Sequence, residues 1–340
     1  MLNSPLGAQR IPAATSRPEI FAESLAMRGV LDGISAAAAT RGGVLICGEA
    51  GSGRRTIARE LHHRSAGARA PFVGVDCAEV AELESVLFGV PPPTNGDLAK
   101  SKFDRINKLS LLYQAIGGTL FLGHLPEMPA RVQARLARVL RDGEASVVES
   151  RRTVPTRMRL IASADGGWDT AVAEGQIRSD LCKRCSAMRI DMPPLRERRE
   201  DIPALARLLM EQVCADSGFE ARTIAPSALA LLCAFPWRGN ARELRGLLHT
   251  LVQRSSQPTL SLEDVLASVH LDGSARDFLG SGTLREAKER FERDYIREVL
   301  DRHRGRVGDA AKALGIQRPN LYRKMRDLRL SPPRHGLLQA

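Results

Sequence analysis

Gly48-Glu-Ala-Gly-Ser-Gly53-Arg54-Arg55-Thr56 follows the apolar run Val44–Cys47 and opens a stretch of helical character. Glycines at this spacing, between a strand and a helix, let backbone N–H groups curl around phosphate at a helix N-terminus. The stretch reads as a phosphate loop and predicts a nucleotide-binding α/β fold. Its candidate ligands are Gly48, Glu49, Ala50, Gly51, Ser52, Gly53, Arg54 and Arg55. Position 54, where such a loop needs Lys, holds Arg, which keeps the charge but is bulkier and planar.

Outward from the loop, the runs Val44–Cys47, Phe72–Asp76, Thr119–Leu122, Met158–Ala164 and Met188–Met192 read as buried strands between amphipathic helical stretches. That rhythm is the signature of a parallel sheet flanked by helices. Beyond residue 200 the pattern turns helical: Ile202, Leu205, Leu208 and Leu209 recur at three- and four-residue spacing, followed by Leu229–Leu232 and Leu244–Leu251. The expected organisation is a leader over 1–18, an α/β subdomain over 19–195 and a helical lid over 196–271. A linker over 272–282 precedes a DNA-binding module over 283–332 and a tail over 333–340. The leader, rich in Pro, Ala and Ser, reads as loose. Asp272–Gly282, with three glycines and two serines, reads as the linker.

Metal-assisted hydrolysis needs a strand ending in two carboxylates, one for Mg²⁺ and one to activate water. The strand in question, Gly117-Gly-Thr-Leu-Phe-Leu122, ends in Gly123-His124. Loss of a general base alone costs about 10²–10⁴ in rate. Glu127, one helical turn on, has the wrong spacing to substitute. No catalytic residue is therefore expected, and ATP, ADP or another nucleotide is expected to bind without hydrolysis. Asp165, just after Arg159-Leu-Ile-Ala-Ser-Ala164, carries no assigned role.

Read together with Phe72-Val-Gly-Val-Asp-Cys77, Leu87-Phe-Gly89, Met128-Pro-Ala-Arg-Val-Gln133, Pro193-Pro-Leu-Arg-Glu-Arg-Arg-Glu-Asp-Ile-Pro203 and Trp237-Arg-Gly-Asn-Ala-Arg-Glu-Leu244, the chain resembles the AAA+ bacterial enhancer-binding proteins, the sigma-54-dependent activators, over nearly its whole length. The resemblance implies a P-loop AAA+ domain with a helical lid. It also implies arginine fingers at Arg178 and Arg184, which would reach a neighbouring subunit's site, and a sensor arginine at Arg242. The family's GAFTGA loop, which contacts sigma-54, should follow Leu87-Phe-Gly89; here the chain reads Val90-Pro-Pro-Pro-Thr-Asn-Gly-Asp-Leu98. Three prolines disfavour a helical hairpin there. Family members without this loop are expected to act through other polymerase forms or as repressors, and some bind cyclic di-GMP.

Residues 306–329 read Arg-Val-Gly-Asp-Ala-Ala-Lys-Ala-Leu-Gly-Ile-Gln-Arg-Pro-Asn-Leu-Tyr-Arg-Lys-Met-Arg-Asp-Leu-Arg. Ala310, Ala311 and Leu314 give a first helix a small apolar face, Gly315 ends it, and Pro319 opens a second helix. Leu321, Met325 and Leu328 form the buried stripe of that second helix. The segment resembles the Fis-type helix-turn-helix, whose second helix enters the major groove. The expected contacts are Gln317, Arg318, Asn320 and Arg323 near base edges, with Tyr322 and Lys324 at phosphates. Such modules read palindromic sites as dimers, so the helix from Leu284, with Phe291, Tyr295 and Leu300 on its apolar side, is expected to pair subunits.

Charge agrees with that end of the chain. Thr283 to Arg334 hold 15 Lys and Arg against 8 Asp and Glu, supplying +7 of a formal +11, which points to nucleic acid. The six cysteines lie in apolar or helical segments and lack disulfide spacing; Cys182-Lys-Arg-Cys185 lacks the second pair a zinc site needs, so no metal is expected. No apolar run approaches a membrane span, which predicts a cytoplasmic, nucleoid-associated protein without membrane contact. The expected partners are double-stranded DNA, further copies of the chain in at least a dimer, and either RNA polymerase or an active paralogue. Two other readings stay open: an active ATPase that activates sigma-54 polymerase, and a modulating subunit that lends Arg178 and Arg184 to an active paralogue.

Overall fold

Residues that are apolar at every position form the centre of the sheet, because helices cover both of its faces. The computed structural model describes residues 8–11, 17–80, 82–91, 103–148, 150, 152–269, 293, 296, 300, 306–313 and 318–328. Six strands make the main sheet: β1 (Ala8–Ile11), β2 (Val44–Cys47), β3 (Phe72–Asp76), β5 (Thr119–Gly123), β8 (Arg159–Ala164) and β9 (Met188–Asp191), in spatial order β1-β3-β5-β8-β2-β9. All pairs are parallel except β1 with β3.

Strand alternation divides the apolar residues between two cores. Val44, Ile46, Phe72, Phe121, Ile161 and Ile190 pack on one face against the helices Leu25–Ala38 and Arg54–Arg64. Leu45, Val73, Val75, Leu120, Leu122 and Ala162 face the other way, among residues of the helices Leu83–Phe88 and Ala130–Asp142. The five strands other than β1 fall within one residue of their expected positions.

Two elements correct the sequence reading. Ala8–Ile11, read as loose leader, pairs antiparallel with β3, which would otherwise present an open edge. A small second sheet joins β4 (Arg105–Ile106), β6 (Glu144–Val147) and β7 (Arg152–Pro155). Its last strand is polar and largely exposed, which leaves no alternation to detect.

After β9 the chain becomes helical, with helices Ile202–Ser217, Pro226–Ala234 and Asn240–Arg254. A short parallel pair, β10 (Thr223–Ile224) with β11 (Thr259–Leu260), ties this bundle together. The chain divides into two units, Met1–Val265 and Leu266–Ala340. In the second, helices Val307–Ala313 and Arg318–Asp327 enclose a small core of Val307, Ala310, Ala311, Leu321, Met325 and Leu328, completed by Ile296 and Leu300. Leu300, expected on a subunit-pairing face, is thus buried within its own unit. Leu284, Phe291, Tyr295, Leu314, Gly315 and the linker 272–282 lie outside the described residues.

Candidate nucleotide site and nucleic-acid interface

Gly48, Gly51 and Gly53 all have positive φ, at 154°, 75° and 104°, which gives the loop the curl its glycines predict. A Cβ at Gly51 would sit 2.3 Å from the carbonyl of Gly239, so the loop and the lid touch too closely there for any side chain. At Gly53 a Cβ would meet only open space. The helix Arg54–Arg64 then starts, its free N–H groups at the loop.

Arg54 is buried to 6% exposure and both terminal nitrogens of its guanidinium are engaged. Nη1 donates to the Gly48 carbonyl at 2.8 Å and to the Asp165 carboxylate, and Nη2 lies 2.7 Å from His124 Nε2. Across the imidazole, His124 Nδ1 lies 2.7 Å from Asp76 Oδ1. An arginine only donates, so Nε2 accepts and the proton sits on Nδ1, donated to Asp76. Four residues from the ends of β3, β5 and β8 and from the loop helix thereby form one chain: Asp165, Arg54, His124, Asp76. His124 holds φ 49°, an uncommon conformation for a non-glycine residue and one that aims its ring along this chain.

Burial works against the Asp76 carboxylate, yet the His124 hydrogen bond, the His124 charge and the Ala78 N–H together hold its pKa below the usual aspartate value. The Asp76 hydrogen bond raises the His124 pKa above the ordinary imidazole value, against burial and the Arg54 charge. Neither Asp76 nor Asp165 figured among the residues expected from sequence. The pairing depends on neighbouring strand ends from segments 48 to 111 residues apart.

The register of the loop also holds a signal that the sequence reading passed over. In G-x-x-x-x-G-K-[ST] the hydroxyl position is 55, and it holds Arg55. Its guanidinium lies over β3 near Gly74; burial lowers its pKa while Asp76 draws it the other way. Mg²⁺ takes oxygen ligands in near-octahedral geometry. Positions 54, 55, 123 and 124 supply two guanidiniums, a glycine and an imidazole, and the nearby carboxylates are bonded to Arg54 and His124. The residues present do not fit a magnesium ion, and among the described residues no cluster of three acidic, His or Cys side chains is arranged to hold a metal.

The lid holds the loop from the other side. Asn240, fully buried, accepts from the Leu195 N–H at 2.7 Å and donates to Glu49 Oε2 at 3.1 Å and to the Ala50 carbonyl at 3.0 Å. Arg196 adds a two-pronged pair to Glu49, which lowers the Glu49 pKa, and Arg198 donates to the Ser52 carbonyl at 2.6 Å. Glu49 therefore serves the lid contact. Arg242 begins beside Gly51 but is 70% exposed, its nearest carboxylate Glu79 at 3.9 Å.

Arg178 pairs with Asp180 at 2.9 Å, and its backbone N–H is held by the buried Gln133. Arg184 is exposed on the helix Ser179–Cys185. Cys185, on the same helix, is buried and its thiol pKa is pushed up to about 12 by desolvation. Gly89 ends its helix at φ 71°, with Asn107 packed so closely that no side chain fits there. Arg135 then clamps the carbonyls of Val90 and Arg105 at 3.0 and 3.1 Å. Residues 92–102, where the prolines fall, lie outside the described residues.

In the second unit Leu321, Met325 and Leu328 are buried as expected, while Arg318, Asn320, Tyr322 and Arg323 are exposed and Lys324 is half-buried. Arg318 lies over the Tyr322 ring at 5.7 Å and donates to its hydroxyl at 3.4 Å, so these two act as a pair. Gln317 lies outside the described residues.

A phosphate loop at the end of a parallel strand, a helical lid on that loop and a separate helix pair define an AAA+ P-loop protein joined to a helix-turn-helix. Family models match in the same order: the Sigma-54 interaction domain over residues 20–191, the AAA+ ATPase lid domain over 196–277 and the bacterial regulatory protein, Fis family, over 288–328. The chain is 32% identical to the regulatory protein AtoC of Escherichia coli K12, covering 92% of this chain and 68% of that protein. It is 33% identical to the DNA-binding transcriptional regulator NtrC of Klebsiella pneumoniae, covering 93% of this chain and 71% of that one. The crystal structure of NtrX from Brucella abortus in complex with ADP superposes with a TM-score of 0.61 at 31% identity, covering 92% and 69% of the two chains. The chain belongs to the sigma-54-dependent transcriptional regulators and carries the Fis-type DNA-binding helix-turn-helix. Among the described residues no helix is long and apolar enough to cross a membrane.

Proposed function

We propose that this chain is a DNA-binding transcription regulator whose AAA+ unit binds a nucleotide without hydrolysing it. One observation carries this reading: Arg54, at the position of the phosphate-loop lysine, is committed to Asp165 and to His124, and His124 and Gly123 stand where the metal-binding and water-activating carboxylates belong. Neither Gly123 nor a neutral His124 whose Nε2 accepts from Arg54 has an acceptor left to take a proton from water. Nucleotide occupancy is supported by the relative NtrX, whose structures include complexes with ADP and with ATP. The output is DNA: Arg318, Asn320 and Arg323 face solvent on the second helix of the module, and Gln317 precedes them. Two modules on a palindromic site, in the bacterial cytoplasm, would fix its register.

The deciding measurement is ATP turnover by the full chain with Mg²⁺, beside an Arg54→Ala control. The expected rate is indistinguishable from the blank in both. Turnover that Arg54→Ala abolishes would restore an active ATPase. For DNA, Arg323→Ala is expected to weaken a cognate site by about 1–3 kcal/mol, measured by fluorescence anisotropy across a salt series.

A second reading is favoured by Arg184, which is exposed and has no ion pair among the described residues. It would complete the nucleotide site of an active paralogue. Mixing the two purified proteins tests it: the paralogue's turnover should rise with the wild-type chain and not with Arg184→Ala.

A further inference from the structure

Three features of the phosphate loop point to a ligand state that differs from the metal complex other loops of this kind take. The first is the donor set. The positions that hold a divalent cation in other loops of this kind offer it no oxygen side chain here, because Arg55 replaces the hydroxyl and Gly123 and His124 replace the acidic pair, while Oδ1 of Asp76 and of Asp165 is already bonded. Packing does not force this at Gly123, where an added Cβ would meet only ordinary contacts at 3.4 Å.

The second is an unused donor. Ser52 is 1% exposed, and its Oγ has no hydrogen-bond partner. It lies inside the curl, 3.2 Å from the position of a Cβ on Gly48. A buried hydroxyl left without a partner is costly, and an anion in the loop would satisfy it.

The third is how Arg54 is held. Its carboxylate partner, Asp165, has a side chain 56% exposed to water. Asp165 can be rehydrated when Arg54 turns away, and phosphate would then keep the buried guanidinium paired, so the exchange leaves no buried charge unpaired. Guanidinium matches phosphate in a two-pronged geometry that lysine does not offer. Arg54, with Arg55 behind it, brings two positive charges to a loop whose usual cation-holding positions carry no carboxylate or hydroxyl.

We propose that this loop takes a nucleoside di- or triphosphate as the metal-free anion, Arg54 leaving Asp165 for the phosphate and supplying charge that a divalent cation brings elsewhere. The inference rests on the nucleotide-binding reading above. Isothermal titration of the unmodified full chain with ADP and with ATP, in Mg²⁺ and again in EDTA, tests it. Because Mg²⁺ in solution ties up the free nucleotide, the expected apparent dissociation constants are larger in Mg²⁺ than in EDTA by more than about twofold, and by more for ATP than for ADP. Constants within about twofold of each other, or smaller with Mg²⁺, would overturn the proposal and leave nucleotide binding standing. No binding in either condition would sink the nucleotide-binding reading itself, and the proposal with it.

Discussion

The phosphate-loop centre and the helix-turn-helix dispose of their charge in opposite ways. In the terminal module the buried and exposed faces follow helical spacing: Leu321, Met325 and Leu328 turn inward while Arg318, Asn320, Tyr322 and Arg323 turn out. Its charge remains available to a partner. In the AAA+ unit the scaffold is equally regular, with loop, parallel strands and lid all in place, but charge at its centre is turned inward. Arg54 is answered by Asp165 and His124, and His124 by Asp76. The same residue type, arginine, is thus a free ligand in one unit and a structural link in the other. Burial and partners set its role.

The widest gap between the units should appear when the small core is cut. Leu321 is fully buried in a cluster of eight described residues, so Leu321→Ala removes a side chain from the middle of the core. The expected cost is about 2–5 kcal/mol, enough to unfold a module of this size. DNA binding should vanish, whereas nucleotide binding by the other unit should be unchanged. Calorimetric titration and anisotropy on one preparation read both. Loss of both activities would mean that the two units do not fold independently.

A smaller effect is expected at the joint between loop and lid. Asn240 has φ 57° and satisfies three backbone or side-chain groups while fully buried. Asn240→Leu leaves the Leu195 N–H and the Ala50 carbonyl without their partner and places a branched chain in a left-handed conformation. The expected loss is about 1–3 kcal/mol of stability for the AAA+ unit, read as a lowered thermal midpoint, with DNA affinity unmoved.

Much of this arrangement was legible because it is local. Strands buried on both faces are unbroken apolar runs, so Val44–Cys47 and Phe72–Asp76 were placed by hydrophobicity alone. The loop's glycines declared their positive φ through their spacing. Ala8–Ile11 was not legible, since four residues with one charge and one amide gain their strand form only from the β3 edge. Asp76 and Asp165 escaped for a similar reason. Each is one carboxylate among many, and only adjacency of β3, β5 and β8 brings them to His124 and Arg54. Arg55 differs: it occupies the hydroxyl position of the loop's register, which is legible in the sequence beside the lysine position.

The smallest expected effect tests whether the inward-turned network carries charge as drawn. His124 has a folded pKa raised above its ordinary 6.5, by Asp76 first. A group shifted this way lends stability that is fully present below 6.5 and drains away as pH rises through the folded value. Asp76 is shifted down from 3.8, so its contribution is present above that value and is lost as pH falls through the lower folded one. Between the two windows the Asp76–His124 pair contributes fully. Replacing the imidazole in His124→Gln removes the upper window while keeping a side chain that can bond Arg54. The stability advantage of the wild type over this variant should therefore shrink as pH is raised from about 6 to about 8, measured by denaturant unfolding at each pH. Protonated His124 turns a donor toward Arg54, so the same titration also reads competition between Asp76 and Arg54 for one ring. An advantage that stays constant over that range would show that the two interactions cancel, and that Asp76 does not govern the ring. An advantage that grows with pH would make Arg54 the dominant partner, binding the neutral imidazole more strongly than Asp76 binds the charged one.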